Sequence, residues 1–234
     1  MKKLIIANWK MNPQTAREAV KLARAEDRKG VVIAPPFPFI EDVGKILKRA
    51  KLGAQDAFWV AQGAYTGEVS PRQLKRARVS YVIVAHSERR ALGETDAMVG
   101  KKVSAVLTEG LTPVVCVGEP WSVRKKGLAG AKRYVARQLR AALKGISAKR
   151  VIVAYEPLWA IGTGKADRPA EAAAMAMFIK HFKVGCVLYG GSVTSKNASA
   201  FLRERALAGA LVGGASLHPR DFAKIIVATN VPRR

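Results

Sequence analysis

One carboxylate stands out by its setting. In Ala154-Tyr155-Glu156-Pro157-Leu158-Trp159-Ala160-Ile161-Gly162-Thr163-Gly164 an apolar run delivers Glu156, a proline stops the extended pattern, and a short apolar segment ends in Gly-Thr-Gly. That order suits a strand tip bearing a carboxylate, followed by a lid over 157–165 with a glycine-rich downstream hinge. Taken alone, an ordinary loop with a surface glutamate explains the stretch equally well. Four other groups also follow apolar runs: Asn8 and Lys10, His86-Ser87-Glu88-Arg89-Arg90, Gly190-Gly191-Ser192, and Gly213-Gly214-Ala215-Ser216. Singly these read as a solvated lysine, a satisfied histidine, a surface ion-pair cluster and tight turns. Together they supply a cation, an imidazole, a carboxylate and two turns whose glycines let backbone N–H groups approach an anion.

The elements that must position these groups are legible as alternating patterns. Apolar runs at 4–9, 31–34, 51–55, 81–85, 113–117, 150–154, 186–189 and 209–213 predict strands. Helical patterns fall near 14–28, 38–49, 71–77, 95–109, 129–144, 169–182, 195–205 and 219–229. The runs are continuous rather than alternating, as in strands buried on both faces. Eight strand–helix units in a chain of 234 residues predict a single α/β domain, a closed (β/α)8 TIM barrel over 1–234. A doubly wound open sheet is the alternative, but none of the runs is polar or split enough to be an edge strand. In a barrel the groups above all lie at the carboxyl ends of strands 1, 4, 6, 7 and 8, where active sites form and where strands 7 and 8 commonly bind phosphate.

Composition narrows the classes further. The chain is 49% hydrophobic and carries a net charge of +24. Its basic residues are spread through helical stretches, with no zinc-finger spacing, paired aromatic sheet motif or GXXG clamp, so a solvated basic surface with at most weak, non-specific polyanion binding is expected. No apolar run is long enough for a membrane span, and the opening Met1-Lys2-Lys3 leads into an apolar stretch too short for a signal peptide. Cys116 and Cys186 sit in strand-like runs and read as reduced core residues of a cytoplasmic protein. The segment 56–70 is a long apolar loop holding Phe58, Trp59, Val60 and Tyr65. It suggests burial against another subunit, the alternative being a loop folded onto its own barrel.

Several segments carry a resemblance to one family. They are Asn8-Trp9-Lys10, Gly53-Ala54-Gln55, Ala64-Tyr65-Thr66-Gly67-Glu68-Val69-Ser70, Ala85-His86-Ser87-Glu88-Arg89-Arg90, Cys116-Val117-Gly118-Glu119, the stretch from Ala154 to Lys165, Tyr189-Gly190-Gly191-Ser192-Val193, and Leu211-Val212-Gly213-Gly214-Ala215-Ser216-Leu217. In this order they resemble triosephosphate isomerase, from Asn8 to about Ile226. The acid–base chemistry of that family is a long-established case of catalytic groups tuned by their surroundings. The resemblance implies a cofactor-independent, metal-free isomerase acting on a phosphorylated triose, in a cytoplasmic self-associated form, by default a homodimer, with no specific nucleic acid and no membrane as partner. It implies Glu156 as general base and His86 as a neutral electrophile and proton shuttle. Lys10 supplies charge to the enediolate and phosphate, and Asn8 is a further donor. Ser192, Gly162, Gly213 and Gly214 resemble the phosphate grip. Glu88 resembles the glutamate beside the lysine. Pro157, Leu158, Trp159, Ala160, Ile161, Thr163 and Gly164 form the lid, Tyr189 supports it, and Tyr65 and Thr66 belong to the interface loop. A helix N-terminus after His86, with Thr95 as its candidate cap, would disfavour the imidazolium.

The sequence departs from the family pattern at several points. Asp56 replaces asparagine and requires pairing or solvent. Leu158 adds apolar bulk to the lid, Pro120 follows Glu119, Ala166-Asp167-Arg168 changes the lid exit, and Ala208 precedes strand 8. Other phosphate-binding barrel enzymes, such as sugar-phosphate epimerases, share the strand 7–8 turns but lack the combination of Asn8-Trp9-Lys10, His86 and the Glu156 lid. A basic barrel with an additional polyanion-binding role is the other alternative.

Overall fold

A computed structural model of the chain describes residues 3–160 and 167–230. Eight parallel strands pair in chain order and close on themselves: β1 (Leu4–Asn8), β2 (Val31–Ala34), β3 (Lys51–Ala54), β4 (Tyr81–Val84), β5 (Thr112–Val117), β6 (Ile152–Tyr155), β7 (Cys186–Tyr189) and β8 (Gly209–Val212). β1 seals the barrel against β8, with Ile5 opposite Ala210 and Ile6 opposite Leu211. The open-sheet alternative is excluded by that pairing.

The continuous apolar runs now divide by strand period. Ile6, Val32, Ile83, Val114, Cys116, Ile152, Ala154, Leu188 and Leu211 point inward and fill the lumen. Their neighbours Ile5, Ala7, Ile33, Val82, Val115, Val153 and Val187 point outward, beneath the helices. Each strand is apolar throughout because it serves two cores.

The helices are α1 (Ala16–Glu26), α2 (Ile40–Ile46), α3 (Pro71–Arg76), α4 (Ser87–Ala91), α5 (Asp96–Thr108), α6 (Trp121–Arg124), α7 (Leu128–Ala142), α8 (Pro169–Lys180), α9 (Ala198–Arg203) and α10 (Pro219–Val227). Their starts follow local chemistry. Thr15 and Glu18 form a capping box on α1, as do Ser70 and Gln73 on α3. Such caps contribute about 1 kcal/mol each. Proline opens α3, α8 and α10 at a position where its missing N–H costs nothing. Two short helices, α4 and α6, lie in segments that the periodicity left as loops, because a helix of one turn is too short to show a period.

Two of the expectations change. The helix after His86 is the short α4, and Thr95 caps the separate α5 by accepting from Met98 N. The loop 56–70 folds back onto its own barrel at its neck. Asp56, Ala57 and Phe58 are buried against their own barrel, and Phe58 N donates to Val69 O across the neck at 2.8 Å. Its tip, with Tyr65 and Thr66, is exposed in the single chain.

Candidate active site

The site begins where β1 ends. Lys10 adopts φ 55, a left-handed conformation that costs a lysine about 1–3 kcal/mol and must be held by its surroundings. Three bonds hold it. Lys10 N donates to Asn8 Oδ1 at 3.1 Å, and Gln55 Nε2 at the end of β3 donates to the carbonyls of Lys10 (2.8 Å) and Ala34 (2.9 Å). The turn aims Lys10 Nζ to within 2.5 Å of Glu88 Oε1. Its Cε passes Gly213 so closely that a Cβ there would stand 3.2 Å away.

β4 delivers the imidazole through a second left-handed turn, at Ala85 with φ 66. His86 is the N-cap of α4, and its Nδ1 accepts from Glu88 N at 3.2 Å. A backbone N–H can only donate, so in this bond Nδ1 is the acceptor and Nε2 is the nitrogen left to donate. That Nε2 lies 3.5 Å from Glu156 Oε1.

Glu156, at the tip of β6, is only 2% exposed. Its backbone N donates to Val117 O at 2.7 Å, which ties it to the end of β5. The approach is so close that a Cβ at Gly118 would lie 1.7 Å from the Glu156 carbonyl oxygen; no other residue fits there. Carboxylate Oε2 accepts from Ser87 N at 3.1 Å, at the N-terminus of α4. Oε1 has no hydrogen-bond partner among the described residues. Cys116 sits behind the carboxylate in the lumen. Burial first, then the charge and hydrogen bond of Glu156, push its thiol well above the ordinary range, so it remains S–H.

The segment after β6, the first part of the expected lid, starts at the buried Pro157 and makes a short 3-10 turn over Leu158–Ala160. It rests on Glu119, which is wholly buried. Glu119 O accepts from Leu158 N at 3.1 Å, and Glu119 Oε1 accepts from Tyr155 OH (3.1 Å) and Trp159 Nε1 (3.3 Å). Burial pushes the Glu119 carboxyl up, against the pull of these donors and of Arg124. The Arg124 guanidinium lies 5.6 Å from the Trp159 ring centroid and pairs with Glu171 on α8. Before α8 the buried Asp167 donates its N–H to Tyr189 OH at 3.2 Å. Burial raises its carboxyl, opposed by Arg168 N and the charges of Arg124 and Arg168. Ile161, Gly162, Thr163 and Gly164 lie outside the described residues.

Ser192, Gly213 and Gly214 stand at the same mouth. With Asn8, Lys10, His86 and Glu156 they line one cavity of about 400 Å³, to which Asn12 and Thr194 also contribute. Gly191 lines the same cavity, and its smallness also makes room for the Tyr189 ring: a Cβ there would meet Tyr189 OH at 2.3 Å. Asp56 is paired within its own chain. Lys102 Nζ donates to both of its oxygens at 2.7 and 2.9 Å, and Arg89 Nε stands 3.0 Å from Oδ2.

The arrangement offers a carboxylate, an imidazole N–H donor and an ammonium around one small cavity, which suits moving a proton on a small anionic molecule. Gln55, Ser87 N and Cys116 touch this machinery without having been assigned a role from sequence. Gln55 stood inside a quoted motif, whereas the contacts of Ser87 and Cys116 with Glu156 cross long stretches of chain and leave no local signal. Among the described residues no group of His, Cys, Asp and Glu is placed to hold a metal ion.

A family model described as triosephosphate isomerase matches residues 3–229. Among curated proteins, the chain is 45% identical over 245 residues to the triosephosphate isomerase of Thermoanaerobacter sp. (strain X514), covering 95% of this chain and 98% of that protein. It is 39% identical over 248 residues to that of Dictyoglomus thermophilum, covering 96% and 98%. It is 38% identical over 247 residues to that of Aquifex aeolicus, covering 97% and 99%.

Proposed function

The chain belongs to the triosephosphate isomerase family and is an aldose–ketose isomerase that interconverts dihydroxyacetone phosphate and D-glyceraldehyde 3-phosphate, a step of glycolysis and gluconeogenesis; we propose that Glu156, His86, Lys10 and Asn8 carry the reaction. Glu156 removes a proton from the carbon beside the substrate carbonyl and returns it at the neighbouring carbon. A proton beside a carbonyl is weakly acidic, so the step needs the oxygen's developing charge to be stabilised as it forms. His86 donates its Nε2 proton to that oxygen and moves protons between the two oxygens of the enediolate. Lys10 and Asn8 add positive charge and a donor. The observation that carries this reading is the 3.5 Å separation of His86 Nε2 from Glu156 Oε1, which aims proton donor and proton acceptor at the same small space.

Ser192, Gly213 and Gly214 are proposed to grip the phosphate, together with Gly162 of the lid 157–165. Lid closure excludes water and keeps the enediolate from losing phosphate. The whole chain is read as one barrel domain. No metal or organic cofactor enters the reaction, so full activity after exhaustive chelation is expected. A coupled assay of the interconversion tests the assignment, with Glu156→Asp alongside. Drawing the carboxylate back by roughly 1 Å is expected to slow the chemical step about 100-fold; near-normal turnover of that variant would sink the role given to Glu156.

Self-association as a homodimer through the loop 56–70 is part of the same reading. Tyr65 is 47% exposed and packs on Phe58 at 4.7 Å between ring centroids, and Thr66 beside it is exposed. A partner would cover this tip. A cytoplasmic location belongs to the same reading, supported by the free thiols of Cys116 and Cys186, which suit a reducing compartment. No described helix is long and apolar enough to cross a membrane.

A further inference from the structure

The strongly basic surface has a focus at the end of the barrel opposite the active site. The first residues of four adjacent strands, Leu4, Val31, Lys51 and Tyr81, form the floor of a recess of about 820 Å³, with Ile226 and Thr229 on its rim. Five cations line it: Arg28 and Lys29 from the loop before β2, Lys48 and Arg49 from the loop before β3, and Lys51. All five are exposed, and among the described residues no acidic side chain lines the recess. The nearest acid, Asp27, is turned to construction. Its carboxylate accepts from the backbone N–H groups of Lys48 (2.9 Å), Arg49 (2.7 Å) and Ala50 (2.7 Å), which fixes the loop that presents two of the cations. Burial acts to raise this carboxyl; the three backbone donors and the Arg49 charge outweigh it, so it sits below its ordinary range and stays ionised.

The charge does not stop at the recess. Successive loops on the same rim carry exposed Arg78 before β4, Lys149 and Arg150 before β6, Lys183 before β7 and Arg205 before β8. Glu109, the acid before β5, is paired with Arg72. None of these cations belongs to the catalytic cavity or to the loop 56–70, which leave the barrel from the other ends of the strands.

We propose that this N-terminal mouth of the barrel is a second binding surface, which holds the phosphodiester backbone of nucleic acid without sequence preference. Several lysines and arginines spread along a rim match a repeating row of phosphates, and affinity then comes from release of condensed counterions. A small anion would use the recess alone and leave the outer cations without purpose. An anionic membrane fits less well: of the large apolar side chains exposed in the described residues, only Met177 and Val227 lie in helix ends that lead toward this mouth, so there is little to insert. Tyr81 is partly buried in the floor, and among the described residues no exposed aromatic platform at this mouth is present to read bases, hence the lack of sequence preference.

The test is fluorescence anisotropy of a short random-sequence DNA duplex titrated with the full-length wild-type protein at a series of salt concentrations. Binding with a Kd of about 10⁻⁶ to 10⁻⁴ M near physiological salt is expected, with log K falling against log salt at a slope of roughly 0.9 per phosphate contact. Arg28→Gln/Arg49→Gln is expected to weaken binding about tenfold or more and to lower that slope by about two contacts' worth. Its isomerase turnover and KM stay unchanged, which also shows that it is folded. Lys21→Gln/Arg133→Gln removes the same charge from exposed positions midway along α1 and α7 and is expected to have a much smaller effect. An equal loss in both double variants would overturn the site in favour of diffuse charge. Absence of duplex binding at low salt, or binding to phosphatidylserine vesicles without binding to the duplex, would overturn the proposal altogether.

Discussion

His86 Nε2 stands 3.5 Å from Glu156 Oε1, while the other nitrogen of the ring accepts from the backbone of Glu88. The backbone bond fixes the tautomer, and the tautomer fixes which side of the ring can give a proton. Replacing His86 by glutamine preserves a hydrogen-bond donor of similar reach but no group that exchanges protons. Turnover of His86→Gln is expected to fall by about 10²- to 10⁴-fold, the usual range for general acid–base catalysis. Binding of a phosphate-bearing inhibitor should hold within a few-fold. An inhibitor affinity that fell in parallel with turnover would assign His86 to binding instead.

Glu26 makes a prediction about stability and pH. It is buried in α1, accepts from Trp9 Nε1 at 3.0 Å, and burial raises its carboxyl to about 8, with Trp9 pulling the other way. The folded protein therefore holds a proton there that the unfolded chain releases near pH 4.5. By linkage, stability from this group is fully present below about pH 4.5 and is lost as pH rises toward about 8. Glu26→Gln keeps an acceptor for Trp9 and removes the titration. Denaturant melts at pH 5 and pH 8 should show the wild type losing up to a few kcal/mol relative to the variant. Parallel pH profiles for the two proteins would refute this.

Lys102 is the hub of a buried ion cluster, 2.7 Å from Asp56 Oδ1 and 2.5 Å from Glu94 Oε1. Removing it leaves Glu94 buried and uncompensated. Lys102→Met is expected to destabilise the fold by about 3–5 kcal/mol. Asp56→Asn, which leaves Lys102 paired with Glu94, should cost much less. Chemical denaturation of both variants separates the cases, and a mild Lys102→Met would mean that solvent reaches the cluster.

The exposed tip of the loop 56–70 bears on assembly. Deletion of residues 61–67 spares the buried Ala57 and Phe58 and the Phe58–Val69 neck, so the barrel should persist. Sedimentation is expected to show a dimer for the wild type and a poorly active monomer for the deletion, because the partner's loop would no longer steady Lys10 and His86, where displacements of about 1 Å cost about 100-fold. Asp56 is satisfied by Lys102 and Arg89 of its own chain, so the proposed interface is expected to rest on apolar burial. High salt should then leave the dimer intact or tighten it, as screening relieves repulsion between two basic subunits. A fully active monomeric deletion would remove assembly from the mechanism, and dissociation of the wild type in salt would replace the apolar interface with ion pairs.

Much of the molecule is written locally in the chain. Val151 to Ala154, followed by Glu156 and Pro157, announces a strand with a carboxylate at its tip because apolar runs, prolines and glycines act on the backbone within a few residues. Eight such units fix the barrel, and the groups that follow strands 1, 4, 6, 7 and 8 fix which residues face the catalytic mouth. The short helices α4 and α6 escaped because one turn carries no period. The caps were harder to place still: whether Thr95 serves the helix after His86 or the next one depends on where the chain turns at Leu92 and Gly93, and no spacing rule states that.

Fold class, the order of the proposed catalytic groups and the family thus follow from the order of residues alone. How those groups are held is a product of folding in three dimensions: Gln55 on the strained turn at Lys10, Ser87 N and Cys116 on Glu156, Lys102 on Asp56, and Asp27 beneath the cations of the opposite mouth. These partners come from separate strand–helix units. Residues far apart in sequence become neighbours when β1 pairs with β8 and the eight units share two rims, and the energies that matter at those rims, burial of charge and satisfaction of buried polar groups, depend on that closure rather than on any local pattern.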